Sequence, residues 1–283
     1  MASFLSTCSN IASQESRKRE MKEIMSIFGD MFLIDTHCHI SDEAFAGDED
    51  GYISRAMEAG VGIMLQPDVD SRDRKAMFDL VDRHPGVLFP MLGLYPGSVD
   101  QEWRKEIDLM LEYSEKDIVA IGEIGLDYYY GKEHAKEQKE ALHWQLDYAS
   151  ERGKPVNIHL RDAMGDFLEI LSAHKGLKGN MHAYSGSYES FLELQKLGDW
   201  YIGVGGVVTF KNASLAEVVR KVPLERIVLE TDAPYLTPVP YRGRRNESSY
   251  IPFIAAKVAE LKGISVEEVA EVTTKNARNL FGI

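Results

Sequence analysis

From Met31 onward the chain repeats one unit, a short apolar run followed by a longer amphipathic stretch. The apolar runs are Phe32–Asp35, Val61–Gln66, Val87–Leu92, Ile118–Gly122, Val156–Leu160, Gly179–Ala183, Tyr201–Val204 and Arg226–Glu230. Each is bounded by glycine, proline or charge and reads as a strand buried on both faces. Between them lie helical patterns such as Ser71–Arg83, Gln101–Tyr113, Lys136–Arg152, Ala163–His174, Ser187–Leu197 and Ala213–Lys221. The last helical pattern, Tyr250–Lys262, follows the eighth strand. Strand–helix alternation implies a parallel sheet, and eight such units predict an α/β fold with a single closed (β/α)8 barrel of the TIM type. A doubly wound open sheet is the alternative, but it gives no reason for where the histidines and acids fall.

Composition narrows the function classes. The length of 283 residues fits one barrel, and a hydrophobic fraction of 44% excludes collagen-like and disordered chains. Only Cys8 and Cys38 are present, too few for a disulfide framework, which suits a reducing compartment and predicts a cytoplasmic protein. No stretch approaches 18 uninterrupted apolar residues, so no membrane span is expected. Residues 1–30 have no basic segment before their short apolar part, and Arg17, Lys18, Arg19 and Lys22 alternate with Glu15, Glu20 and Glu23. They are expected to be a non-catalytic extension, or residues upstream of a start at Met31, with the barrel domain over 31–283. The net charge of −13 argues against coating nucleic acid electrostatically. It leaves room for a local site where arginines and bound cations reverse the sign. No obligate protein partner is evident.

The histidines and acids cluster at strand ends. His37 and His39 follow strand one, Glu123 follows strand four, and His159, His182 and Asp232 end strands five, six and eight. In a parallel barrel all carboxyl ends open on one face, so these six side chains converge. His37-x-His39 on a strand sets both imidazoles on one face and turns Cys38 the other way, into the strand–helix layer. Four imidazoles and two carboxylates exceed what one catalytic ion needs. Two ions bridged by a carboxylate would use all six, and nitrogen and oxygen donors without thiolate suit Zn, Mn, Fe or Mg. Such a pair lowers the pKa of bound water and clamps the oxygens of a phosphate or carbonyl.

Other residues have more than one reading. His84, His134, His143 and His174 fall in loops or helical stretches and suit surface or helix-end roles. One ring of Tyr128-Tyr129-Tyr130 could stack on a base or sugar, or the run could form a packed lid. Arg161 suits an anionic substrate or an ion pair with Asp127 or Asp162. The loop Arg242-Gly-Arg244-Arg245-Asn246-Glu247 is locally basic and suits phosphate binding or a solvated charge run.

Taken together, these motifs resemble the TatD family of metal-dependent deoxyribonucleases, within the amidohydrolase-like barrels. The resemblance runs over Met31 to Ile283 and rests on six ordered motifs: Asp35-Thr-His37-Cys-His39, Gly122-Glu123-Ile-Gly-Leu-Asp127-Tyr, Pro155-Val-Asn-Ile-His159-Leu-Arg161, His182-Ala-Tyr-Ser-Gly186, Leu229-Glu230-Thr-Asp232-Ala-Pro and the arginine loop. It implies a TIM-type barrel and two divalent metals per subunit. His37, His39, Glu123 and Asp232 would hold one, and Glu123, His159 and His182 the other. It also implies hydrolysis of DNA phosphodiesters, often from the 3′ end. One departure stands out: Gly93-Leu-Tyr95-Pro96 replaces the family's usual Gly-x-His-Pro. Tyrosine can donate a hydrogen bond, but with a pKa near 10 it does not shuttle protons at neutral pH as imidazole does.

The leading expectation is therefore a two-metal deoxyribonuclease acting with metal-activated water, with Asp232 and Glu123 catalytic. Arg161, Tyr95, Arg242 and Arg244 are candidates for contacting DNA or another phosphodiester. An amidase or lactonase on a small carbonyl substrate is the second expectation, and a non-catalytic metal-binding protein the third.

Overall fold

Every apolar run of the sequence overlaps a strand, and the strands pair in chain order. The computed structural model describes residues 31–283. The expected extension, 1–30, lies outside the described residues. The strands are β1 (Leu33–Asp35), β2 (Val61–Gln66), β3 (Leu88–Leu92), β4 (Ala120–Asp127), β5 (Val156–Arg161), β6 (Lys178–Met181), β7 (Asp199–Val204) and β8 (Ile227–Leu229). All neighbours are parallel, in the order β1 to β8. Beyond the ladders, Thr36 N donates to Leu229 O at 3.0 Å, Asp232 N to His37 O at 2.9 Å and His39 N to Ala233 O at 2.8 Å. These bonds tie the end of β8 to the end of β1 and close the ring. The fold is a (β/α)8 barrel, not an open sheet.

The helices are α1 (Glu49–Glu58), α2 (Ser71–Arg83), α3 (Trp103–Leu111), α4 (Ala135–Arg152), α5 (Met164–Ala173), α6 (Tyr188–Leu197), α7 (Leu215–Lys221), α8 (Ile251–Lys262) and α9 (Val266–Phe281). Their boundaries follow local chemistry. Asp70, Ser187 and Ser265 each accept a backbone N–H of the first turn, and Gly153 ends α4 in the left-handed conformation at φ 62°. No helix among the described residues is long and apolar enough to cross a membrane.

Two elements go beyond the pattern read from sequence. One is α1, and the other is α9, which follows the helix expected to be last. The sequence marks α9 by Ser265-Val-Glu-Glu268, where Ser265 Oγ accepts from Glu268 N at 3.1 Å. Its apolar face, Ala277, Leu280 and Phe281, packs on Ile34, Ile63, Leu65, Met91 and Val228, which point into the barrel. Asn276 Nδ2 donates to both Leu224 O and Ile227 O at 2.8 Å and fixes its register. The helix thus plugs the end of the barrel away from the strands' carboxyl ends.

The plug should matter for stability and not for the mouth. Leu280 is 1% exposed, so Leu280→Ala should cost about 2–5 kcal/mol of unfolding free energy in denaturant titration. Metal content of the folded variant should not change. A loss below 1 kcal/mol, or a loss of metal without a loss of stability, would contradict this division.

Candidate metal centre

The six residues expected to converge do so, although not all sit at strand ends. His159 lies inside β5, His182 one residue past β6, and Asp232 three residues past β8. Glu123 was expected to follow strand four. Instead it lies within β4, which runs five residues further than the apolar run. The β4–β5 register shifts between Ile121 and Ile124. There the backbone turns to β2's side: Asp68 N donates to Gly122 O at 3.1 Å and Glu123 N to Asp68 O at 3.0 Å. Behind them Asp68 Oδ2 and Arg74 Nε form a buried pair at 2.6 Å. Glu123 is thereby aimed into the mouth. Gly125 makes the close approach possible: at φ 150°, a Cβ there would lie 1.8 Å from His159 O.

The donor geometry fits divalent cations. Glu123 Oε2 lies 3.5 Å from His37 Nε2 and 3.7 Å from His39 Nε2. Glu123 Oε1 lies 2.7 Å from His159 Nδ1 and 3.8 Å from His182 Nε2. One carboxylate therefore offers an oxygen to each of two imidazole pairs. Asp232 Oδ1 stands 3.7, 3.5 and 3.6 Å from His37, His39 and His182 Nε2. Donors about 2.1 Å from one ion in a tetrahedral shell sit about 3.4 Å apart, close to these values. Three overlapping donor sets result: His37/His39/Glu123, His37/His182/Asp232 and Glu123/His159/His182. The middle set was not foreseen, since Asp232 was assigned with His37, His39 and Glu123 and not with His182.

Outer partners choose which ring nitrogen faces inward. His37 Nδ1 donates to Asn157 Oδ1 at 2.9 Å, which leaves Nε2 as a lone pair. That lone pair is 3.1 Å from His39 Nε2, a spacing met either by a proton on His39 or by a cation that both rings face. His182 Nδ1 lies 3.0 Å from Glu230 Oε1. His159 Nε2 lies 3.0 Å from Asp127 Oδ2, with Nδ1 inward. Asp35 accepts from His37 N at 3.2 Å, Thr231 N at 3.0 Å and Ser248 Oγ at 2.6 Å, joining the first ligand segment to the last. Sequence reasoning gave Asn157, Glu230, Asp127 and Asp35 no role at the metals. The available signal was period two, since Asn157 and Glu230 each stand two residues before a ligand.

Buried charges settle the electrostatics. Burial raises the Glu123 pKa, but His37 and His159 outweigh it and hold the carboxyl well below its usual range. Burial likewise raises Asp232, and the His182, His39 and His37 imidazoles reverse the effect. Burial, then the neighbouring His182, lowers His37. Burial opposes charge on His159 and His182 too. Asp127 and Glu123 nevertheless raise His159 to about 9, and Glu230 and Asp232 raise His182 to about 10. The carboxylates demand cations, and protons are what the imidazoles supply in a metal's stead.

The centre opens into a cavity of about 780 Å³ that also exposes Tyr95, Tyr130, Arg161, Tyr184 and Tyr235. Tyr95 meets the His159 ring edge-on at 5.0 Å between centroids, and burial with the Glu123 charge pushes its hydroxyl pKa upward. It stays protonated and so keeps a hydrogen to donate. Arg161 makes no ion pair with Asp127 or Asp162; its guanidinium stacks 3.4 Å above the Tyr129 ring. Arg242 and Arg244 are exposed and do not line the cavity. Arg242 lies 3.8 Å over Phe210, and Arg244 5.9 Å from the Tyr241 ring centre. Cys38 is buried and outward of the histidines, with Gln66 Nε2 donating to its sulfur at 3.0 Å. His84 and His174 immediately follow α2 and α5, His134 precedes α4 and His143 lies within it; none joins a donor set.

A (β/α)8 barrel with such a mouth defines a metal-dependent hydrolase. The chain matches the family model for TatD-related DNases over residues 34–282. It is 36% identical over 260 residues to the uncharacterized metal-dependent hydrolase YabD of Bacillus subtilis, covering 89% of this chain and 99% of YabD. It is 34% identical over 262 residues to human deoxyribonuclease TATDN3, covering 88% and 94%. The crystal structure of YjjV, a TatD homologue from Escherichia coli, superposes with a TM-score of 0.81 at 29% identity, covering 89% and 98%. The chain belongs to the TatD family, and is a metal-dependent hydrolase of the ester-cleaving class that the family's name denotes.

The metal-free centre should carry a pH signature. His159 and His182 have pKa values raised above the unfolded value near 6.5. Their stabilisation is complete below that value and is lost as pH rises through about 9 and about 10. Chelator-treated protein should therefore melt at progressively lower temperature between pH 7 and pH 10. Metal-loaded protein should not, because binding already displaces those protons. Parallel profiles for the two forms would contradict the charge balance.

Proposed function

We propose that this chain is a two-metal phosphodiesterase that hydrolyses DNA, attacking from a 3′ end. The observation that carries the reading is the division of Glu123's two oxygens between His37/His39 and His159/His182. His37, His39, Glu123 and Asp232 would hold one ion, and Glu123, His159 and His182 the other. When bound, Zn, Mn or Mg ions supply Lewis acidity at the phosphoryl oxygens and make water at the site more acidic. Asp232 stays ionised and takes the proton of the attacking water. Arg161 offsets phosphate charge, and the Tyr95 hydroxyl donates a hydrogen bond to a phosphate oxygen or the leaving group. Arg242 and Arg244 serve phosphates farther along the strand.

Phosphate as the reacting group is supported by Arg161 in the cavity wall, and DNA by the name of the human relative. The free, buried Cys38 thiol is in keeping with a reducing, cytoplasmic setting. The primary test is a metal-reconstituted assay on single-stranded oligodeoxynucleotides beside a lactone. Turnover of the lactone without the oligonucleotide would overturn the phosphodiesterase reading in favour of carbonyl chemistry.

Two variants address the roles. Glu123→Ala should lower bound metal from two ions toward one or none in elemental analysis, and retention of the full content would remove the bridging role. Asp232→Asn keeps one oxygen ligand but cannot take a proton. Metal-loaded, it should turn over DNA about 10²–10⁴-fold more slowly while still binding the strand. A near-parental rate would show that water is deprotonated without it.

A further inference from the structure

Exposed apolar side chains concentrate at the cavity mouth. Nine large apolar side chains are exposed among the described residues; five of them, Tyr129, Tyr130, Tyr235, Leu236 and Val239, lie in the loops after β4 and β8. Tyr130 is 85% exposed and lines the cavity that holds the metal ligands. Such exposure contributes nothing to the core, and a ring held at a site mouth calls for a ligand.

The Tyr130 segment is anchored to the centre itself. The Asp127 carboxylate that orients His159 also accepts from Tyr129 N, at 2.9 Å through Oδ1. Tyr128 N donates to Arg161 O at 3.0 Å, and Tyr128 Oη to Asp166 Oδ2 at 2.8 Å. Arg161 covers the Tyr129 ring at 3.4 Å, and Tyr129 meets Tyr130 edge-to-face at 4.9 Å and 85°. The ends of β4 and β5 thus hold a flat ring and a cation in the wall of the cavity that contains His159. Neither is needed to hold a metal.

We propose that Tyr130, backed by Tyr129 and Arg161, is a stacking seat for one unpaired nucleobase adjoining the scissile phosphate. The inference rests on the phosphodiesterase reading and names what the site recognises beyond phosphate. In a chain of net charge −13, attraction for a polyanion cannot supply affinity over a long footprint. Stacking adds affinity without needing charge and tolerates any base. A base inside a duplex has both faces occupied, so the seat takes only an unpaired one. A seat that reads only the base takes deoxyribose and ribose strands alike.

The test uses metal-loaded protein and fluorescein-labelled oligonucleotides, intact or abasic at the nucleotide next to the 3′-terminal one. Binding is read by anisotropy in the Asp232→Asn background, so that the strand survives, and cleavage is read in the unaltered chain. The intact strand should bind about tenfold more tightly than the abasic one. Tyr130→Ala should abolish that difference by weakening the intact strand alone, and Tyr130→Phe should restore it. The salt slope of binding should correspond to no more than about three phosphates. Equal binding of intact and abasic strands, with cleavage retained, would overturn the seat and leave the phosphodiesterase reading standing. Failure to bind or cleave any strand would overturn both. A tenfold preference between matched ribose and deoxyribose strands would overturn recognition through the base alone.

Discussion

The Glu123 carboxylate, 3% exposed and set among four imidazoles, is the constraint to which the rest of the mouth answers. A carboxylate taken out of water needs positive charge and hydrogen bonds around it, or it takes up a proton. Each imidazole that supplies that charge needs an anchor in turn. Asn157, Glu230 and Asp127 are those anchors for His37, His182 and His159. The result is layered: carboxylate, imidazoles, then buried polar groups on the same strands. Removing any outer member leaves a charged or polar group unsatisfied in low dielectric, so the outer layer matters nearly as much as the ligands.

The barrel is what makes this layering affordable. Closure of β8 onto β1 runs through the backbone of Thr36, His37, His39 and Asp232, so the bonds that complete the ring also hold members of the donor sets. Asp232 sits at φ 57°, a left-handed conformation that aspartate tolerates and that its bonds to His37 and Tyr235 maintain. At the other end, α9 buries its apolar face on the strands' inward residues. The plugged end is closed by apolar packing, and the open end carries the polar donor sets.

Much of this was legible in the residues. Eight apolar runs located the strands because a parallel strand buried on both faces can be little else, and the convergence of the six histidines and acids followed from their places near strand ends. What sequence concealed has physical causes. Glu123, Gly125 and Asp127 broke the apolar pattern of β4 and read as a loop, whereas inside a barrel mouth those polar side chains find partners across the lumen. The helix α9 was overlooked because the buried Thr273 and Asn276 interrupt its apolar stripe, which runs from Val269 to Phe281, and because it packs on a barrel end that periodicity alone does not reveal. In the arginine loop Arg245 is paired with Asp48 and Glu247 at 2.5 and 2.8 Å, which leaves Arg242 and Arg244 as the loop's candidates for phosphate. Arg161, which looked ready to pair with an acid, stacks on tyrosine instead.

The central claim is that one carboxylate divides two metal ions, and it can be observed directly. Crystals grown or soaked with Mn²⁺ and measured at the metal's absorption edge should give two anomalous peaks about 3.5–4 Å apart. Glu123 should lie between them, with His37 and His39 on one side and His159 and His182 on the other. A single peak at full occupancy, or two peaks with Glu123 bound to only one, would contradict it.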